Sequence, residues 1–420
     1  MRIGRALVLA SAAAVALLGV VIVGGLVLFG VQSLKPEAQV SAGTLFELLK
    51  IAFAVVAGIG GLVALVVAYR RQKVAEAAQG LAEQAEQRAH VAELRAQRGE
   101  QREATKLHND RFATAAGQLG HDAPAVRLAG AHALAGLADD APTRELRQTC
   151  IDVLCAYLRM PYSPEPTDEA PETERLLFTG LREVRHTIIR LIGAHLREDA
   201  PVSWQGHDLD FTGVMFDGGD FLDAMFSGGT VSFRRATFCG ATVDFRRATF
   251  PGGTVDFRHA KFSGGTVSFD GATFSGGDID FHRSTFSSGE INFYAATFSS
   301  GEVSFLGATF PGATVDFGYA TFSGGTVDLR RATFSSGGIS FFGATFSSGT
   351  VTFDSATFSG STVSFRDATF SGCTVDLRRA KFSSGSVDLS NPRSWEVPPA
   401  GLPEPTPVGL LLPADQGAST

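Results

Sequence analysis

Residues 236–247 read ATFCGATVDFRR, residues 248–259 read ATFPGGTVDFRH, and the same twelve-residue phrase runs on to residue 389. Phe recurs every twelfth position from Phe226 to Phe382, fourteen times without exception. Val or Ile recurs in the same way from Val231 to Val387, also fourteen times. The slot two residues after it is Phe eleven times, with Leu329, Leu377 and Leu389 as the exceptions. The slot two residues before the first Phe is Ala throughout 224–380, except for Ser284. The unit is therefore five residues plus seven. Val-Asp-Phe alternates in, out, in, as a short strand does. Ser-Gly-Gly and its variants supply the bend, because Gly tolerates the dihedrals of a corner. One unit is too short to enclose two Phe, a Val and an Ala. Two units per turn, about 24 residues, form a quadrilateral solenoid whose turns stack at about 4.8 Å. Roughly eight such turns make a rod of about 35–40 Å.

Just upstream, Phe211, Phe216, Phe221 and Phe226 recur every five residues, and two residues before them stand Leu209, Val214, Gly219 and Ala224. This stretch resembles the pentapeptide-repeat proteins, closely over 207–226 and as a variant over 227–389. The resemblance implies a right-handed β-solenoid in which the Phe and the small residue two before it point inward. Some members of that family mimic DNA and inhibit DNA gyrase, which makes a topoisomerase inhibitor the alternative functional reading. That mimicry needs a densely acidic surface. Residues 201–390 hold 18 acidic and 13 basic residues, and the Arg pairs work against it.

The rest of the chain reads outward from this rod. Residues 7–30 and 51–69 are free of charge, each about long enough to span a hydrocarbon core. We expect two transmembrane helices, 7–30 and 45–69. Arg2 and Arg5 precede them and Arg70, Arg71 and Lys73 follow, so the positive-inside rule predicts a hairpin with both termini cytoplasmic, a multi-pass protein of the cell membrane. A cleaved signal peptide is the competing reading, but Gly30-Val31-Gln32-Ser33 is a poor cleavage site. Residues 70–109 are Ala, Glu, Gln and Arg without Pro, a stalk helix. Residues 110–200 read as a small all-α domain that weakly resembles HEAT or armadillo repeats, with a Pro- and Glu-rich loop at 160–174. Its last helix, 176–197, is expected to cover the first end of the solenoid at 201–390. Residues 391–420 are expected to cap the other end through Trp395 and then to form a flexible tail, with Leu410–Leu412 able to dock.

Chemistry is sparse. The net charge of -7 is mild, so nucleic acid is not an expected partner. Four cysteines do not build a disulfide scaffold. His186 and His195 lie nine apart, no two histidines stand at i,i+4, and Cys150 and Cys155 point away from one another. No metal, cofactor or catalytic group is therefore expected, and the Gly-Gly pairs lack the Lys and helix of a phosphate loop. The variable positions are the two that follow the strand Phe. With 24 residues per turn they predict two columns. One holds Arg234, Arg258, His282, Leu306, Arg330, Asp354 and Arg378, a partly basic edge. The other carries Tyr294, Tyr319 and Phe342, an aromatic stripe. Of these, Arg234, Arg258, His282, Arg330, Arg378, Tyr294, Tyr319 and Phe342 are the candidate partner-facing residues. The expectation is a membrane-integral, non-enzymatic scaffold that presents a rigid rod to an unknown protein partner; its oligomeric state is left open.

Overall fold

A computed structural model describes residues 41–413 apart from positions 164 and 403, together with scattered positions between 12 and 28. The first predicted span, 7–30, lies for the most part outside the described residues. The chain divides into two compact units, residues 1–102 and 103–420.

In the first unit the described structure is dominated by helix α1 (Ala42–Leu119), which continues into the second. It covers the predicted second span and the stalk in one element. By length and composition this one helix, among the described residues, is apolar enough to cross a membrane.

In the second unit the end of α1 buries His108, Ala115 and Leu119. Helix α2 (Pro124–Asp139) begins on Pro, whose fixed φ suits a first turn. Helix α3 (Arg144–Arg159) is capped by Thr143, whose hydroxyl accepts from the Leu146 amide at 3.3 Å. Met160–Pro171 carries no regular element, and helix α4 follows (Glu172–Leu196). Its apolar side buries Val184, Ile188, Ile189 and Ile192. This helix packs on the first turn of the rod: Gly193 backs onto the Asp220 carbonyl, and the Leu196 carbonyl accepts from the Met225 amide at 2.9 Å.

From Leu209 the chain forms a β-solenoid of about eight turns, with two sheets of parallel strands. The pairing register fixes the winding. Thr273 pairs with Thr297, Ile279 with Val303 and Phe298 with Phe322, each 24 residues apart. Two twelve-residue units thus close one turn. Four Phe columns fill the interior. One is Phe233, Phe257, Phe281 and Phe305, continued by Leu329; the second runs from Phe245 to Phe365 and ends on Leu389. The third and fourth run from Phe226 to Phe370 and from Phe216 to Phe382. Rings within a column stack nearly parallel turn after turn, for example 4.5 Å between Phe262 and Phe286 and 4.8 Å between Phe293 and Phe317. Each buried ring contributes about 1.5–3 kcal/mol by leaving water.

The period-five stretch has a structural meaning. Phe211, Phe216, Phe221 and Phe226 head the four columns, each 5.0 Å from the next ring, Phe233, Phe238, Phe245 and Phe250. Three steps of five residues and one of seven close the first turn in 22 residues, and the twelve-residue repeat widens the turns above it to 24. The exceptional Ser284 is fully buried and donates to the Phe257 carbonyl at 2.6 Å, so its hydroxyl is satisfied.

At the far end Ser394 and Trp395 pair with Thr369 and Phe370, and the indole meets the Phe370 ring edge-on at 5.2 Å. The tail then returns. Leu410 and Leu411 pair with Val387 and Asp388, and Leu410 is buried at the end of a Val column.

Candidate interaction surface

The two variable positions lie on a turn closed by a hydrogen bond from the Ala amide to the strand Phe carbonyl, as from Ala236 to Phe233 at 3.0 Å. The second of them is left-handed: Arg235 has φ 58, Arg283 φ 57, Tyr319 φ 55 and Arg331 φ 57. Nothing but Gly adopts this region without cost. Repetition of the turn, not side-chain preference, imposes it.

The predicted basic edge is assembled in one column, since Ser232 pairs with Asp256 and so Arg234 lies below Arg258. Its charge, however, is largely compensated. Asp256 accepts from the Arg258 amide at 2.8 Å and from its Nε at 2.9 Å, while Arg258 Nη2 reaches the other oxygen at 2.6 Å. Arg330 folds back on Asp328 and Arg378 on Asp376 in the same way. An Asp followed two residues on by Arg, with Phe or Leu between them, is therefore a closed fork. Arg379 likewise bonds Asp354 of the preceding turn, with Nε 2.8 Å from Oδ1. Arg234 follows Ser232 and has no such Asp. The local field stays positive there: partial burial, then Arg234, Arg235 and Arg283, push His259 below its usual value. His282 takes the slot of that column one turn on, its amide bonded to Asp280.

The same pairs neutralise Asp244, Asp256, Asp328, Asp354 and Asp376, whereas burial, then Asp328 and Asp278, push the Glu302 carboxyl above its usual value. The pairs also predict an acid limb. Hydrogen bonds from Arg378 and Arg379 hold the Asp376 and Asp354 carboxyls below the usual carboxylate value. A carboxylate with a depressed folded pKa adds stability that is complete above its unfolded pKa, about 4, and is lost as pH falls through the folded value. The solenoid should keep a constant melting temperature from pH 7 to about 5 and lose it progressively below about pH 4. Replacing both arginines by Gln should flatten that limb in a thermal melt followed by circular dichroism.

The aromatic stripe is also assembled. Tyr294 and Tyr319 meet edge-to-face at 5.5 Å, and Tyr319 and Phe342 at 5.6 Å. They are 42%, 50% and 38% exposed, and are the large apolar residues exposed among the described residues of 207–389. Sequence spacing alone does not explain the contact, since Tyr319 occupies the second variable slot and the other two the first. Glycine does. A Cβ at Gly318 would lie 3.2 Å from the Tyr294 ring, and one at Gly343 2.9 Å from the Tyr319 ring. Each ring lies across the bare backbone of the next turn.

Two polar clusters in the helical part were not legible from spacing. Asp217 accepts from the Tyr162 hydroxyl at 2.8 Å, faces His186 Nε2 at 2.9 Å and lies 3.2 Å from Arg182 Nε. The Arg185 guanidinium sits 4.2 Å from the centre of the Tyr162 ring. Burial pushes Asp217 up, but the His186 and Tyr162 hydrogen bonds outweigh it and leave the carboxyl below its usual value. In the second cluster Asp139 bonds the Trp204 indole at 2.9 Å and faces His195 Nε2 at 3.1 Å, with His195 stacked on Trp204. Each cluster ties residues more than 30 positions apart. The first clamps α4 to the first turn and the second ties α2 to α4 and Trp204; both carboxylates are held by protein donors, while the buried Nε atoms of Arg182 and Arg185 make no hydrogen bond. His186 and His195 are thus engaged separately. Cys150 and Cys155 are buried, and burial pushes their thiols up to about 11 and about 12. Among the described residues no group of His, Cys, Asp and Glu is placed to hold a metal ion.

Comparison with protein-family models, with curated proteins and with solved structures returns no match. What the chain does has to be argued from its own surface.

Proposed function

We propose that this chain is a membrane-tethered, non-enzymatic scaffold whose β-solenoid presents a rigid outer face to a protein partner in the cytoplasm. The observation that carries this reading is the division of labour within the repeat. The inward slots hold Phe or Leu, Val or Ile, and Ala with one Ser, turn after turn, whereas variation falls on the outward slots and is greatest at the two that follow the strand Phe. A surface varied on an invariant frame is what recognition uses, and a core filled by aromatic rings leaves no interior pocket for a substrate. The apolar part of α1 supports the tether. The reading includes a two-span hairpin with cytoplasmic termini, kinship to pentapeptide-repeat proteins and a right-handed winding.

Two deletions test it separately. The full chain should stay with membranes through an alkaline wash, and a chain lacking residues 1–71 should be released; retention of the shortened chain sinks the tether. Removal of residues 207–389 should abolish capture of protein neighbours by in-cell cross-linking while leaving membrane association intact. An unchanged set of cross-linked neighbours would overturn the scaffold.

A further inference from the structure

We propose that the aromatic ladder Tyr294–Tyr319–Phe342 is a docking edge for a second copy of this chain, which lies antiparallel to the first. The inference does not depend on the membrane tether or on a foreign partner.

The ladder is built, not incidental. Its three rings are the exposed large apolar side chains among the described residues of 207–389, where the outward Leu306 is half-buried. Tyr319 stands at φ 55, where Gly occupies the same slot at positions 271, 307 and 343. Gly318 and Gly343 clear the space in which the rings lie. The rings therefore present a pre-ordered apolar edge, and aromatic side chains of this kind are favoured anchors of interfaces.

Charge selects the occupant. Two turns before Tyr319, at about 10 Å along the rod, the first variable slot is Asp270; two turns after it, that slot is Arg366. The arginines nearest Asp270, Arg246 and Arg247, are already held by Asp244 and Asp223. Arg366 follows Ser364 and so has no Asp to fold back on; its amide bonds the Ser364 hydroxyl instead. A two-fold axis across the rod at Tyr319 sends each turn onto its mirror in sequence order. Tyr319 then meets Tyr319 of the second copy, Tyr294 meets Phe342, and Arg366 meets Asp270, twice by symmetry. Asp367 falls opposite Gly271, and Arg246 opposite Ser390. A parallel arrangement, with its two-fold along the rod, would exchange the two columns, so that Arg366 meets Asp367 while Asp270 faces Gly271 and gains no cation. The antiparallel arrangement alone pairs Asp270. Three rings and two ion pairs make a small interface, so the dimer should be reversible and concentration-dependent.

The test uses the full chain in detergent and single cysteines, with the unmodified chain as the baseline for its native thiols. Tyr319→Cys should form disulfide dimers about tenfold faster than Arg366→Cys, and a mixture of Tyr294→Cys and Phe342→Cys chains should cross-link to one another. Adding Arg366→Asp should slow the Tyr294–Phe342 cross-link about tenfold, and Asp270→Arg on the same chain should restore it. Equal rates for Tyr319→Cys and Arg366→Cys, or no restoration by the charge swap, overturn the proposal. Absence of cross-linking at all positions also overturns it and leaves the edge to a different partner.

Discussion

Phe281→Ala should cost about 3–5 kcal/mol, the usual range for deleting a fully buried ring that its surroundings cannot collapse to replace. Phe281 is 0% exposed and stacks on Phe257 at 4.6 Å and Phe305 at 4.7 Å. Its neighbours are held by strand pairing above and below, so they cannot move in to fill the space. Because each turn touches only adjacent turns, the loss should be local. Hydrogen exchange on the full chain should show deprotection centred on the turns carrying Phe257, Phe281 and Phe305. The same deletion at Phe382, which is only partly buried beside the last turn, should cost clearly less. Equal costs at the two positions would contradict the nearest-neighbour picture of the rod.

Gly349→Ala should cost about 3 kcal/mol or more, although it adds a single carbon. Gly349 has φ +85, and a Cβ there would lie 2.5 Å from the Gly325 carbonyl oxygen and 2.8 Å from the Gly324 carbonyl carbon. A left-handed conformation alone costs an L-residue roughly 1–2 kcal/mol, and the overlap with backbone of the previous turn adds to it. That backbone is pinned by its own strand pairing, so relief requires the turn to lift. Gly252→Ala is the control. A Cβ at Gly252 meets nothing within 4 Å, and its change should stay within about 0.5 kcal/mol. Hydrogen exchange of residues 321–352 and of residues 228–256 distinguishes the two sites. A corner that tolerates both substitutions alike would refute the claim that turn-on-turn contact dictates these glycines.

Much of the rod was legible before any coordinates. Phe at every twelfth position requires a repeated inward slot, and two Phe with a Val and an Ala are too bulky for a turn of twelve. Pairing partners 24 apart follow from that volume argument. The basic column was legible as a column, since stacking follows from the period. Its charge was not, because the fork between Asp and the Arg two residues on depends on side chains emerging on the same side at a turn. The eleven left-handed residues that are not Gly were hidden too. Composition signals such a site only when Gly fills it, and here the fixed turn overrides preference. The contact of Tyr294 with Tyr319 needed the glycine beneath each ring, a relation between turns that spacing does not reveal.

The helical part shows the opposite balance. Periodicity located α4 to within a few residues and missed the Asp217 and Asp139 clusters. A hydrogen bond between Tyr162 and Asp217 joins residues 55 apart, and no local pattern encodes it. The tail behaved likewise. Its prolines suggested a free segment with Leu410–Leu412 able to dock; where they dock only the structure shows, Leu410 completing a Val column because an open solenoid end exposes unpaired backbone. By itself the sequence determined the periodic properties: the solenoid, its residues per turn, the identity of its core and the positions free to vary. Periodic burial is a one-dimensional constraint and is written in order along the chain. Only the tertiary structure decided which charges cancel, which rings touch and what closes each end. Those depend on distances between residues that the chain itself keeps apart.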